Sequence, residues 1–183
     1  MKVAIADSAR LFFAVWPSPE VQRALGALAA ALRRECGGRA VPADNIHLTL
    51  AFLGGVERGR LPAIEALAGA VSAPRFDLSV TRVQYWAHNR IVWAGVERCP
   101  EALSGLAEAL ARALAEQGFR LERRPYVPHI TLLRDARRAP ASGAVPPVAW
   151  PVEQFALVES VPHGGARRYE VLRRWALAPG ERL

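Results

Sequence analysis

Apolar and polar positions along this chain fall into two periods, one suited to strands and one to helices. Arg10 to Trp16 (RLFFAVW) is an unbroken apolar and aromatic run closed by Pro17, which predicts a buried strand. A helix follows directly: Ser18 can cap it, Pro19 suits its first turn, leucines and alanines continue to Glu35, and Gly37-Gly38 ends it. Ile46 to Leu53 reads as a strand ended by Gly54-Gly55, and Leu61 to Val71 as a second helix. Phe76 to Tyr85 and Ile91 to Val96 are extended segments joined by a turn at Ala87 to Arg90. Pro100 to Gln117 is a third helix, stopped by Gly118. Pro125 and Pro128 keep the approach to the next strand extended. Ala136 to Pro147 reads as a loop without regular structure. Phe155 to Ser160 and Tyr169 to Ala176 are the last two predicted strands, separated by Pro162-His163-Gly164-Gly165.

This order is not a regular β-α alternation, so it predicts an α+β fold built on mainly antiparallel sheet. One domain spanning residues 1–183 is expected, with residues 1–9 as a short flexible tail. The halves resemble each other: the helix over 18–35 precedes His47, and the helix over 100–117 precedes His129. Two related lobes that meet at these histidines are therefore expected.

Both histidines belong to the same tetrapeptide, His47-Leu48-Thr49-Leu50 and His129-Ile130-Thr131-Leu132. In a strand, residues i and i+2 share a face, so each copy aims an imidazole and a hydroxyl together. Leu48, Leu50, Ile130 and Leu132 then point into packing. Two imidazoles titrating near pH 6.5 can act as acid and base at neutral pH, while the hydroxyls donate to oxygens that gain charge. These are parts for opening a phosphodiester without a metal.

Composition adds a partner. The formal net charge is +7, and Lys2 is the sole lysine, so the positive charge is nearly all arginine, whose planar fork suits phosphate. A polyanion is favoured, with nucleic acid ahead of a membrane surface. Cys36 and Cys99 form no CxxC pattern, which argues against a zinc site or a disulfide framework. No signal-peptide core or membrane-length apolar run is present, so a cytoplasmic monomer is expected.

The segments Ala43-Asp44-Asn45-Ile46-His47-Leu48-Thr49-Leu50-Ala51-Phe52-Leu53-Gly54 and Arg124-Pro125-Tyr126-Val127-Pro128-His129-Ile130-Thr131-Leu132-Leu133-Arg134-Asp135 resemble the two signature motifs of the 2H phosphoesterases. Within that superfamily the likeness is to the RNA 2′,3′-cyclic phosphodiesterase, or 2′-5′ RNA ligase, family. It extends through Arg10-Leu11-Phe12-Phe13-Ala14, Val92-Trp93, Tyr169 and Arg174-Trp175-Ala176-Leu177. The resemblance implies a bilobal fold, two mainly antiparallel sheets flanked by helices with a cleft between the lobes. It also implies hydrolysis of RNA 2′,3′-cyclic phosphate ends, tRNA fragments among the candidate substrates, to 2′-phosphomonoesters without metal or other cofactor. Reverse 2′-5′ ligation belongs to the same chemistry.

By the same resemblance His47 is the general acid and His129 the general base, with Thr49, Thr131 and Arg134 holding the phosphate. Simple alternation from His129 puts Arg134 on the wrong face, so it reaches the cleft only if the strand ends or bulges after Leu132. Phe13 and Phe52 are the candidates for stacking a base. Alternation from His47, however, sends Phe52 to the packing side. His88 and His163 read as exposed turn residues. Gly164-Gly165 with Arg167-Arg168 is a weaker candidate phosphate clamp, and Arg120, Arg123 and Arg124 could guide an RNA backbone. Two alternatives remain open: a 2H enzyme acting on small cyclic nucleotides or 2′-5′ oligonucleotides, and a non-catalytic RNA-binding module.

Overall fold

A computed structural model describes residues 7–121 and 125–180. Two sheets carry the fold. The first comprises β1 (Ser8–Val15), β3 (Leu48–Glu57), β8 (Gln154–His163) and β9 (Ala166–Ala176), ordered β3-β1-β8-β9. The second comprises β2 (Arg39–Ala40), β4 (Phe76–Trp86), β5 (Ile91–Val96), β6 (Ile130–Arg134) and β7 (Ala144–Val152), ordered β2-β6-β5-β4-β7. Within both sheets neighbouring strands run antiparallel, as an α+β fold requires.

The helices α1 (Pro19–Cys36), α2 (Leu61–Ala70) and α3 (Glu101–Glu116) lie close to their predicted positions. α1 begins where Ser18 Oγ accepts from the Val21 amide at 3.3 Å, and ends where Gly37, at φ 70°, donates its amide to the Arg33 carbonyl. Its apolar face, with Leu25, Ala29 and Leu32 buried, packs against β6 and β7, whereas α3 packs against β3. Each helix thus covers a strand of the other half of the sequence, and one continuous apolar core joins both sheets.

The duplication is visible in the topology. β3 pairs with β1 across α1, and β6 pairs with β5 across α3. In each case the motif strand hydrogen-bonds to the strand that precedes its own helix.

Three expectations need correction. β3 does not stop at Gly54-Gly55 but continues to Glu57, because Gly54 absorbs the local turn at φ 75° while Gly55 still pairs with Arg10. Residues 144–147, read as loop, begin β7, a strand with Pro146, Pro147 and Pro151. That strand lies at the sheet edge, where a missing amide donor is tolerated. Within the proposed tail of residues 1–9, Ser8 and Ala9 belong to β1 and Ala9 is buried; residues 1–6 lie outside the described residues.

Candidate active site

His47 and His129 each sit immediately before a strand, β3 and β6, rather than inside one. Their backbone settings match. His47 Nδ1 lies 2.7 Å from the carbonyl of Asn45, and His129 Nδ1 lies 2.8 Å from the carbonyl of Val127, two residues back in both cases. A carbonyl only accepts, so Nδ1 carries the proton in both rings and Nε2 is left for chemistry. For His47, Nε2 is 3.1 Å from Thr49 Oγ1, the hydroxyl two residues on.

Each motif is followed by a bulge at the same place. In β3, Phe13 pairs with Ala51 and Ala14 with Thr49, so Leu50 is the extra residue. In β6, Val92 pairs with Leu133 and Trp93 with Thr131, so Leu132 is the extra residue. Both members of each bulge, Leu50 with Ala51 and Leu132 with Leu133, are buried. The alternation therefore resets, and the fifth residue after each histidine returns to the face of its histidine and threonine.

That reset puts Arg134 on the Thr131 face, as its expected role requires. It also corrects the reading of Phe52. Phe52 pairs with Phe12, and cross-strand partners share a face; Phe12 lies 4.9 Å from the His47 ring between centroids. Phe52 is thus on the site side and 47% exposed. Phe13 is corrected in the opposite sense: it is fully buried against Phe155 and Trp175, on the core side of β1, and cannot meet a base.

Aromatic rings dominate the surroundings of both histidines. Trp16 stacks on His47 at 5.3 Å with an interplanar angle of 4°, and Tyr169 meets it edge-on at 5.1 Å. On the other side, Trp86 lies 4.8 Å and Trp93 6.1 Å from His129. Burial pulls the His47 pKa down from 6.5 to about 4, against the opposing Asn45 carbonyl bond, and the nearby charges of His129 and Arg134 add to the lowering. In the free protein at pH 7 this imidazole is neutral. The influence of His129 and Arg134 on it also shows that the two motifs share one electrostatic environment.

Two further residues hold the halves in place. Asn45, itself buried, donates Nδ2 to the Arg167 carbonyl at 2.8 Å and accepts from the Tyr169 amide at 3.3 Å, so it docks the His47 loop onto β9. Tyr126 donates its hydroxyl to the Thr49 carbonyl at 3.0 Å, tying the approach to the second motif to the strand of the first. Burial pushes the Tyr126 pKa up, so the phenol stays a donor. Arg134 is followed by Asp135 at φ 56°, whose carboxylate is taken by Arg39 and Arg90. Gly38, at φ 83°, lets the chain pass over this point: a Cβ there would lie 2.5 Å from the Arg134 carbonyl oxygen.

Sequence reasoning did not assign site positions to Asn45, Trp16, Phe12, Trp86 or Trp93. An asparagine two residues before one motif histidine, and tryptophans within or next to predicted strands, were the available signals. The remaining candidates occupy turns, hairpins and surface ion pairs. His88 is exposed in a turn, whereas His163, read as a turn residue, is the exposed last residue of β8, paired with Ala166. Gly164 and Gly165 form the β8-β9 hairpin turn, Arg168 pairs with Glu170, and Arg167 binds Ser160. Arg120 is exposed, whereas Arg123 and Arg124 lie outside the described residues. Cys36 is buried, Cys99 is exposed and neither is in a disulfide. Among the described residues no three His, Cys, Asp or Glu side chains converge to hold a metal, and no helix is long and apolar enough to cross a membrane.

Two antiparallel sheets, each presenting a His-x-Thr pair with its Nε2 free of the backbone, define a 2H phosphoesterase. More particularly, a family model described as LigT-like phosphoesterase matches residues 15–93 and 95–166, and the chain belongs to that family. The RNA 2′,3′-cyclic phosphodiesterase of Escherichia coli K12 is 38% identical over 177 residues, covering 94% of this chain and 99% of that protein. The RNA 2′,3′-cyclic phosphodiesterase of Thermus thermophilus is 35% identical over 197 residues, covering 94% and 98%. The crystal structure of E. coli LigT complexed with 3′-AMP superposes with a TM-score of 0.84 at 38% identity, covering 93% of this chain and 99% of that one.

Proposed function

We propose that this protein hydrolyses the 2′,3′-cyclic phosphate at RNA ends to a 2′-phosphomonoester, by acid-base catalysis between His47 and His129. The observation that carries the reading is the matched pair of motifs: two imidazoles with the same tautomer, each two residues before a threonine, with the His47 ring hydrogen-bonded to the Thr49 hydroxyl. Water attacks phosphorus in line with the 3′ oxygen. His129 Nε2 takes the water proton, the bond from phosphorus to the 3′ oxygen breaks, and His47 Nε2 donates a proton to that oxygen. The phosphate remains on the 2′ oxygen. Thr49, Thr131 and Arg134 donate to the non-bridging oxygens, where charge grows in the transition state.

Phe52, exposed on the same face, is the platform for the terminal base. The names of the two curated relatives and the 3′-AMP complex of E. coli LigT support a nucleotide-sized phosphoester as substrate. Run in reverse with a 5′-hydroxyl end as nucleophile, the same groups perform 2′-5′ ligation, with hydrolysis dominant in water. tRNA fragments are one source of such ends. The protein works as a monomer in the cytoplasm.

The test uses an oligoribonucleotide ending in a 2′,3′-cyclic phosphate, with the product followed by phosphorus NMR. Wild-type protein is expected to give the 2′-phosphate, at a rate unchanged by chelator, whereas His47→Ala and His129→Ala each lose about 10²–10⁴-fold in kcat. Undiminished turnover in both variants would overturn the catalytic reading, and turnover confined to small cyclic nucleotides would overturn the RNA reading.

A further inference from the structure

The site-bearing face of the first sheet extends beyond His47 along β1, β8 and β9, and its far end is basic. Arg10 stands two residues before Phe12 on β1, on the same face and about 7 Å further along the strand. Ser160 is opposite Tyr169 on the same face of β8, and Arg167 follows on β9. Together with Arg58 and Glu159 these side chains line a concavity of about 380 Å³.

Its charges are not all compensated. Arg58 is engaged by Glu159, at 2.5 and 3.1 Å, and by Asp7 at 3.2 Å. Arg10 and Arg167 are both exposed, and neither has a carboxylate partner among the described residues. Their orientations are nevertheless fixed. The Arg10 guanidinium lies over the Phe52 ring at 4.9 Å. Arg167 donates Nε to Ser160 Oγ at 2.5 Å and Nη2 to the Ser160 carbonyl at 2.7 Å, with Ser160 itself buried. This arrangement leaves Nη1 without a partner among the described residues. Two held, uncompensated guanidinium groups over a shallow basin suit a singly charged phosphodiester. The strand that carries Arg167 also reaches the reacting site, since the Arg167 carbonyl and the Tyr169 amide are the groups that Asn45 grips beside His47.

We propose that Arg10 and Arg167 form a second anion site that binds the phosphodiester immediately upstream of the terminal nucleotide. Resting on the reading of the substrate as an RNA end, this subsite makes the protein prefer an oligonucleotide to a mononucleotide. Arg58 and Glu159, already paired with each other, line the same basin, while the two free cations supply the attraction. With the Arg10 guanidinium over one face of the Phe52 ring, the opposite ring face is left for the terminal base and the guanidinium for the adjoining backbone.

The test is a binding comparison that needs no turnover. Calorimetry would compare a nucleoside 2′-phosphate, a dinucleotide ending in a 2′-phosphate, and the same dinucleotide with a neutral methylphosphonate at its internal linkage. Wild-type protein is expected to bind the phosphodiester dinucleotide about tenfold tighter than the methylphosphonate. Arg10→Gln and Arg167→Gln each erase most of that difference and leave mononucleotide affinity within about twofold. The slope of log affinity against log salt falls by about one for the dinucleotide only. Equal affinity for the phosphodiester and the methylphosphonate in wild-type protein, a comparison independent of how any variant folds, would overturn the proposal. So would an equal loss for mononucleotide and dinucleotide in both variants. Failure of the hydrolytic reading would show separately, as no turnover of the dinucleotide ending in a cyclic phosphate.

Discussion

Anion binding beside His47 is expected to turn it from a neutral imidazole into a proton donor. In the free protein its pKa is about 4, with burial as the largest cause, so at pH 7 fewer than about one ring in a hundred is charged. A phosphate oxygen within about 4 Å, at an effective dielectric of about 20, favours the charged ring by about 4 kcal/mol. That is roughly three pKa units, enough to carry the group to about 7 in the complex. The same anion offsets the charges of His129 and Arg134, which act in the lowering direction. The assay is a pH titration of the histidine ring nitrogens by long-range proton-nitrogen NMR, with and without a nucleoside 2′-phosphate. His47→Gln identifies the resonance. The expected result is one imidazole titrating near 4 alone and near 7 with ligand. A free-protein value near 6.5 would refute the claim that the aromatic enclosure controls the ring. A value that stays near 4 in the complex would make His47 a proton acceptor and transfer the acid role to His129.

Acid and base can also be separated through the leaving group. A cyclic substrate with sulfur at the 3′ position expels a thiolate that needs no acid, so His47→Ala should recover most of its lost rate on it while His129→Ala stays slow; recovery in the reverse order would exchange the roles. Phe52→Ala should raise KM for a nucleotide end about tenfold or more with little change in kcat. Phe13→Ala, by contrast, should cost about 3–5 kcal/mol in a urea melt, since it empties a core position between Phe155 and Trp175. Equal effects of the two changes on KM would mean that the faces have been misassigned. Gly38→Ala places a Cβ at φ 83° against the Arg134 carbonyl, so a stability loss of about 1–3 kcal/mol is expected. Activity measured under folded conditions should fall with it, and an unaffected melting curve would show that the chain can relax there at no cost.

The parts of the fold that follow from short-range pattern were legible in the sequence. Ser18, Pro19 and Gly37 bound α1, and Leu48, Leu50, Ile130 and Leu132 are buried as alternation requires. What failed were questions of parity. Ala9 and Leu11 to Val15 of β1 are all buried, so in RLFFAVW only Arg10, two residues before Phe12, hints at a Phe12 facing the site and a Phe13 facing the core. That choice is made by the register of β1 against β3 and β8, a long-range property. Asn45 was illegible for a related reason: its partners on β9 are more than a hundred residues away and are backbone groups, which carry no sequence signature.

The bulges explain both the apparent misfit of Arg134 and the mistaken side of Phe52. An extra residue after Thr49 and another after Thr131 each reverse the alternation once, so the same insertion that lifts Arg134 onto the site face lifts Phe52 there too. The two positions are therefore equivalent in the duplicated scaffold but differ in chemistry, one a cation and the other an aromatic ring. A symmetric pair of His-x-Thr strands could not by itself orient an asymmetric ligand, since a cyclic phosphate has a base on one side only. Under the proposed mechanism the residue after each bulge would break that symmetry, with Arg134 drawing the phosphate toward the second sheet and Phe52 drawing the base toward the first. Direction would then be fixed before any proton moves. Which histidine faces the 3′ oxygen follows from which lobe holds the base, and exchanging the residues, Phe52→Arg with Arg134→Phe, should oppose productive binding even with both motifs intact.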